Sequence, residues 1–268
     1  MRKISISLAQ MEVIPGDKER NLRKGSLLIE EAARRGSQVI LFPELWFNGY
    51  PLERTADTAE PITGEAIRKV QELAALHRIA VIGSFLERRD DGVYNSAPVI
   101  SEEGEILGVY TKTHLFSYVG EDRYLKRGNS LPIFEFPWGK AAVAICYDLR
   151  FPELFRMYME HGAEVIFVPA EWPRPRTEHW SLFLRLRAIE NLFFTVGCNR
   201  VGRDGSPAVY EGASAAYSPW GEVVALAGNR EMLLTFEIDM DEVKKMRDSF
   251  PALRDRRKDL FERHAPEP

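Results

Sequence analysis

Short apolar runs, each bounded by turn residues, recur along the chain and limit what it can fold into. Val39-Ile40-Leu41-Phe42, Ala141 to Ile145, Val165 to Val168 and Phe193 to Cys198 are too short for helices and read as buried strands. Between them lie stretches with helical periodicity. From Lys18 to Arg35, the residues Leu22, Leu28, Ile29, Ala32 and Ala33 fall near one face, and Gly36 ends the helix. Ala66 to His77, Pro152 to His161 (closed by Gly162) and Glu178 to Asn191 read as further helices.

Ile4 to Ala9 and Ile79 to Leu86 each read as one strand. Hairpins are inserted: Tyr94 to Ile100 with Ile106 to Tyr110 around Glu103-Gly104, and Ile133 to Phe136 with Ala141 to Ile145 around Pro137-Trp138-Gly139. Ala213 to Phe236 reads as strands with turns at Pro219-Trp220-Gly221 and Gly228-Asn229, and the polar stretch from Asp241 to Glu262 as helical near its start. Helices that alternate with strands and hairpins predict an α/β fold, sheets covered by helices, rather than an all-parallel barrel. No repeat, low-complexity tract or linker divides the 268 residues, so one domain spanning 1–268 is expected.

Composition narrows the function classes. A net charge of -4 offers no basic face for nucleic acid. No apolar run approaches the roughly 20 residues of a membrane span, and the N-terminal alternation is a strand pattern rather than a signal peptide. Two cysteines, Cys146 and Cys198, do not make a disulfide scaffold, which points to a reducing cytoplasm.

Cys146 ends an apolar strand, and Pro152 six residues on suits the first turn of a helix. The thiol is thus expected at a strand-to-helix turn, where backbone N–H groups can hold an oxyanion. Cys198 has no such turn and reads as packing. A thiol nucleophile needs a base. Glu44 closes the strand Val39 to Phe42, flanked by Phe42, Leu45 and Trp46, where desolvation would raise its proton affinity. Lys112, just past another strand, would pair with Glu44 and stabilise an oxyanion.

Pro43-Glu44, Lys112-Thr113-His114-Leu115-Phe116 and Cys146-Tyr147-Asp148-Leu149-Arg150-Phe151-Pro152-Glu153 together resemble the nitrilase superfamily, the carbon–nitrogen hydrolases, in order and context over nearly the whole chain. The resemblance implies a four-layer α-β-β-α sandwich, a Glu44-Lys112-Cys146 triad and a homodimer or larger assembly. It also implies a further glutamate after the lysine motif. Glu121 is the matching position, with Asp122 beside it as the second choice, and it would orient Glu44 and substrate.

Ala170 to Arg176, Trp180, Arg187 to Asn191 and Gly197 to Gly202 resemble the bacterial omega-amidase branch, which implies 2-oxo acid omega-amides such as 2-oxoglutaramate as substrates. Arg174 or Arg176 would grip the substrate carboxylate and Trp172 would wall the pocket. Glu171 stands where this branch commonly has Asn, and a carboxylate there repels an anionic substrate unless an arginine neutralises it.

The expected reaction is acyl transfer through a thioester on Cys146. Glu44 would shuttle the proton, Lys112 and the Tyr147 backbone N–H would hold the oxyanion, and no metal or organic cofactor is needed. Rival readings are a nitrilase or another amidase with the same triad, a Cys-His hydrolase using His114 or His179, and a non-catalytic binding module on the same fold. Gly212-Ala213-Ser214-Ala215-Ala216 lacks the last glycine of a serine elbow, and the histidines show no zinc spacing. Gly202-Arg203-Asp204-Gly205 reads as a turn, not a phosphate loop.

Overall fold

The computed structural model describes residues 2–263; Met1 and residues 264–268, the ends of the expected domain, lie outside the described residues. The chain forms strands β1 (Lys3–Gln10), β2 (Val39–Leu41), β3 (Ala80–Ile82), β4 (Phe85–Arg89), β5 (Gly92–Ile100), β6 (Ile106–Thr111), β7 (Phe134–Phe136), β8 (Gly139–Val143), β9 (Val165–Ala170) and β10 (Phe194–Asn199). Five more follow: β11 (Val201–Arg203), β12 (Val209–Glu211), β13 (Ala215–Tyr217), β14 (Val223–Leu226) and β15 (Met232–Asp239). The helices are α1 (Lys18–Arg34), α2 (Thr55–Thr58), α3 (Glu65–His77), α4 (Glu121–Tyr124), α5 (Pro152–Glu160), α6 (Thr177–Asn191), α7 (Asp241–Ser249) and α8 (Lys258–Arg263).

Two sheets carry the architecture. One runs β15-β1-β2-β3-β5-β4 with β6 added to β5; the other runs β14-β13-β10-β9-β8-β7. Their facing sides share one core: Ile4, Ile6, Leu8, Val39 and Leu41 of the first sheet cluster with residues of the second such as Val143, Val165 and Phe167. The even positions of β1 therefore point inward, as its alternation requires. α1 and α3 cover the outer face of the first sheet, where Ile29, Ala32, Ile67 and Val70 pack on Ile40 and Val81. Leu154, Phe155, Leu184 and Ala188 of α5 and α6 join the core from the second sheet. The expected sandwich of two sheets flanked by helices is thus what forms. Among the described residues no helix is long and apolar enough to cross a membrane.

Two local expectations need correction. The stretch from Ile79 to Leu86 is two strands, not one, because Ser84 turns away from the ladder to bind the segment after β2. Its hydroxyl accepts from the Leu45 N–H at 2.9 Å, and its carbonyl accepts from the Trp46 N–H at 3.2 Å. Gly202 to Gly205 is more than a bare turn, since it belongs to the β11–β12 hairpin.

Close packing also sets the segment after β2. Trp46 stacks on Phe42 with ring centroids 4.2 Å apart, and its indole is seated on the bare Cα atoms of Gly25 in α1 and Gly83. At either glycine a Cβ would overlap the indole.

Candidate active site

Four chemistry-bearing residues stand just past strand ends: Glu44 after β2, Lys112 after β6, Cys146 after β8 and Glu171 after β9. Two of the strands belong to each sheet, so the residues converge across the sandwich. The β5–β6 ladder carries on one step, since Lys112 N–H donates to the Asn95 carbonyl at 2.9 Å. This puts the Asn95 and Lys112 side chains together on Glu44. Asn95 Nδ2 and Lys112 Nζ both donate to Glu44 Oε1 at 2.8 Å. The other oxygen, Oε2, accepts the Glu171 backbone N–H at 3.0 Å.

Cys146 lies on the same cavity wall, near enough for its thiol and the Glu44 carboxylate to influence each other's proton affinity. Cys146 has φ of +45° and opens the one-turn 3₁₀ segment Cys146–Arg150 that leads into α5. A non-glycine residue in the left-handed region costs on the order of 1–3 kcal/mol. Asp148 holds the turn. It accepts from Ile145 N–H at 2.9 Å, Tyr110 Oη at 2.7 Å and His114 N–H at 2.9 Å, tying the cysteine turn to the lysine segment.

Burial sets the protonation states. It pushes Glu44 above the ordinary carboxyl range despite the Lys112 charge. It also pushes the Cys146 thiol well up, with Glu44 adding to the effect, so the resting sulfur keeps its proton. For Lys112 burial pulls the other way, but Glu121 and Glu44 outweigh it and the ammonium stays charged.

Glu121 lies behind Lys112, fully buried. Its Oε1 accepts from Lys112 Nζ at 2.7 Å and from the Tyr50 hydroxyl, and its Oε2 accepts from the Phe116 N–H. It reaches Glu44 only through the shared Lys112 ammonium, and it does not line the cavity, so the direct role toward substrate expected of it is not what the structure places there. Asp122 is exposed.

The cavity above these groups measures about 580 Å³, a size suited to a small molecule. Glu44, Lys112, Cys146 and Glu171 form part of its lining, and the tip of the β11–β12 hairpin, from Asp204 to Ala208, rims it. Arg174 and Arg176 line it as well. The Arg174 side chain is exposed and lies 3.5 Å from Glu211, while the Arg176 guanidinium sits over the Phe116 ring.

Trp172 does not wall the cavity, contrary to expectation. It is turned into the protein against Trp180 and Phe183, and its indole N–H donates to the Arg176 carbonyl at 2.8 Å, so it shapes the arginine loop from behind. His114 binds Asp148 and stacks on Phe151, and His179 is exposed, so neither lines the cavity. Ser214 is buried against Gln10 and Asn199. Cys198 is buried and its thiol pushed up by desolvation. Among the described residues no cluster could hold a metal ion.

Residues 5–248 match the family model for carbon–nitrogen hydrolase. This chain belongs to that family. As a carbon–nitrogen hydrolase it acts on C–N bonds outside peptides. It is 36% identical over 260 residues to the 2-oxoglutaramate amidase of Bacillus subtilis, covering 97% of this chain and 100% of the relative. It is 33% identical over 270 residues to the omega-amidase NIT2 of Xenopus tropicalis, covering 97% and 98%. Its fold matches that of a carbon–nitrogen hydrolase superfamily protein from Xanthomonas campestris, solved with an arsenic adduct in the active site. The TM-score is 0.90 at 30% identity, over 96% of this chain and 98% of that one.

Sequence reasoning missed Tyr50, Asn95 and the role of Arg200. Asn95 carried a faint signal, a polar amide inside an expected strand. Tyr50 carried none beyond its place in the turn after Glu44. Arg200 stands beside Glu171: its Nη1 lies 3.3 Å from Glu171 Oε2, with both side chains buried.

Proposed function

We propose that this enzyme hydrolyses the terminal amide of small omega-amides of 2-oxo acids, 2-oxoglutaramate among them, releasing ammonia through a thioester on Cys146. The observation that carries the reading is the contact set at Glu44. One buried carboxylate meets the Lys112 ammonium and a backbone N–H, with the Cys146 thiol near it, beside a cavity of small-molecule size.

In the first step Glu44 takes the thiol proton while sulfur attacks the amide carbon. Because burial keeps the resting thiol protonated, removal of the proton accompanies attack. Lys112 and the Tyr147 N–H stabilise the tetrahedral oxyanion. Collapse breaks the C–N bond, and Glu44 returns the proton to the departing ammonia. Water, activated by Glu44, then cleaves the thioester and restores the thiol. Glu121 acts as a positioning residue for Lys112.

The substrate class draws on the two amidase relatives and on Arg174 and Arg176 at the cavity, whose charges suit a carboxylate. The test is ammonia release from 2-oxoglutaramate, 2-oxosuccinamate, deaminated glutathione, glutamine and a simple nitrile, with Cys146→Ala alongside. Cys146-dependent turnover fastest on the 2-oxo acid amides supports the reading. Turnover of only another panel member overturns the substrate and keeps the chemistry.

A homodimer is part of the proposal. Leu182, Leu186 and Ile189 are exposed on one face of α6 at helical spacing, the kind of apolar stripe that self-association covers. Light scattering on the purified protein tests it. The two free cysteines suit a reducing compartment such as the cytoplasm.

A further inference from the structure

Glu171 is buried and lines the cavity, but its two oxygens are unequally served. Oε2 receives one hydrogen bond, from Arg200 Nη1 at 3.3 Å, and Oε1 has no partner. That bond is long for an ion pair, where about 2.7–2.9 Å is usual. Arg200 directs three other donors at main-chain carbonyls, those of Val13, Val201 at 3.3 Å and Arg203 at 3.2 Å, and the Tyr210 ring covers its face. An ionised Glu171 would hold a buried oxygen with no donor, which is costly.

The buried charges point the same way. Glu44, Glu121 and Glu171 are three carboxyl groups against two cations, Lys112 and Arg200, all within the same buried region. Lys112 holds both Glu44 and Glu121 at close range, whereas the one cation beside Glu171 stands at 3.3 Å and leaves Oε1 without a partner. Resting on the proposed substrate class, we infer that Glu171 is a specificity-determining residue: it keeps its proton, so that the cavity wall it forms is neutral toward the carboxylate of an anionic amide substrate. A position that would repel such a substrate as a carboxylate accepts it as a neutral acid.

The groups facing Glu171 agree. Burial pushes it up to about 8; Arg200 opposes this, and Glu44 and Asp204 reinforce it. Asp204 itself, against the cost of burial, is held below the ordinary range by Ser206 and Tyr210, so it stays charged. Tyr210 is raised by burial and stays neutral. Of Glu171, Asp204 and Tyr210, Glu171 is the one whose charge changes nearest neutral pH.

The experiment measures kcat/KM between pH 6.5 and 10 for an anionic amide, succinamate, and a neutral one, butyramide, on wild type and Glu171→Gln. The ratio of the two removes the titrations of Cys146, Glu44 and Lys112, which act on both substrates alike. In wild type the ratio of anionic to neutral amide is expected to fall above about pH 8, approaching tenfold per pH unit. In Glu171→Gln, which cannot ionise, it is expected to stay flat. A flat ratio in wild type overturns the inference, whether or not the variant folds. An equal fall in both proteins also overturns it, by assigning the titration elsewhere. Turnover of butyramide without succinamate overturns this inference, while the substrate class stands or falls with the 2-oxo acid amides of the panel above. Turnover of both with no pH split overturns this inference alone.

Discussion

Lys112 Nζ lies 2.8 Å from Glu44 Oε1, and both side chains are 1% exposed. Its second carboxylate, Glu121, is at 2.7 Å. Desolvation makes this cluster expensive to build and more expensive to break, since removing one partner leaves charge buried without compensation. Lys112→Met is therefore expected to lose about 3–5 kcal/mol of stability by urea denaturation. With an oxyanion donor also gone, kcat is expected to fall on the order of 10²–10³-fold. A variant of wild-type stability would show that the pair is not closed off from water.

The base has a pH signature. Burial raises Glu44 above its ordinary value of 4.5, more than Lys112 lowers it. Glu44 must be ionised to take the thiol proton, so the acidic limb of kcat/KM is expected above pH 4.5, not at it. A pH profile on an uncharged amide reads this directly. A limb at or below 4.5 would mean that the lysine dominates.

Glu171 makes a separate prediction for stability. Its carboxyl, pushed up to about 8 from 4.5, binds its proton more tightly folded than unfolded. The stabilisation is complete below pH 4.5, is lost as pH rises from 4.5 to 8, and changes no further above that. Glu171→Gln does not titrate. Its stability relative to wild type is expected to improve by a few kcal/mol between pH 4.5 and 9, at about 1.4 kcal/mol for each pH unit inside that window. Denaturant melts of both proteins at the two pH values measure this; a constant difference would contradict it.

The glycine seats under Trp46 are expected to be intolerant. In Gly25→Ala the added methyl overlaps the indole, and Trp46 is two residues from Glu44. Overpacking costs typically about 1–3 kcal/mol. The expected result is a lower melting temperature together with a loss of kcat, because the displaced indole carries the Glu44 segment with it. A lower melting temperature with kcat unchanged would show that Glu44 is positioned without Trp46.

The sequence exposed the site where local pattern suffices. Glu44, Lys112 and Cys146 each follow an apolar strand, and a strand end is visible without knowing what lies opposite. What it hid depends on partners far along the chain. Asn95 reaches Glu44 across 51 positions, and Arg200 reaches Glu171 from a neighbouring strand end after β10. Glu171 is recognisable from the sequence as a problem for an anionic substrate, but its arginine is not, since no periodicity reports which side chains meet across a cavity. Trp172 escapes for a related reason. An aromatic in a loop beside arginines can face the cavity or the core, and only the Trp180 and Phe183 rings behind it decide. The break between β3 and β4 is marked in the sequence only by Gly83-Ser84 inside an apolar run, and the bonds that make it, from Ser84 to Leu45 and Trp46, cannot be read there.

The most direct test of the proposed chemistry is to trap the acyl-enzyme. Wild type and Cys146→Ala are mixed with 2-oxoglutaramate, quenched in acid within one turnover and subjected to intact and peptide mass spectrometry. The expected result is an acyl adduct on the peptide carrying Cys146 in the wild type, none in the variant, and ammonia from the wild type alone. Ammonia released by Cys146→Ala at the wild-type rate would contradict it.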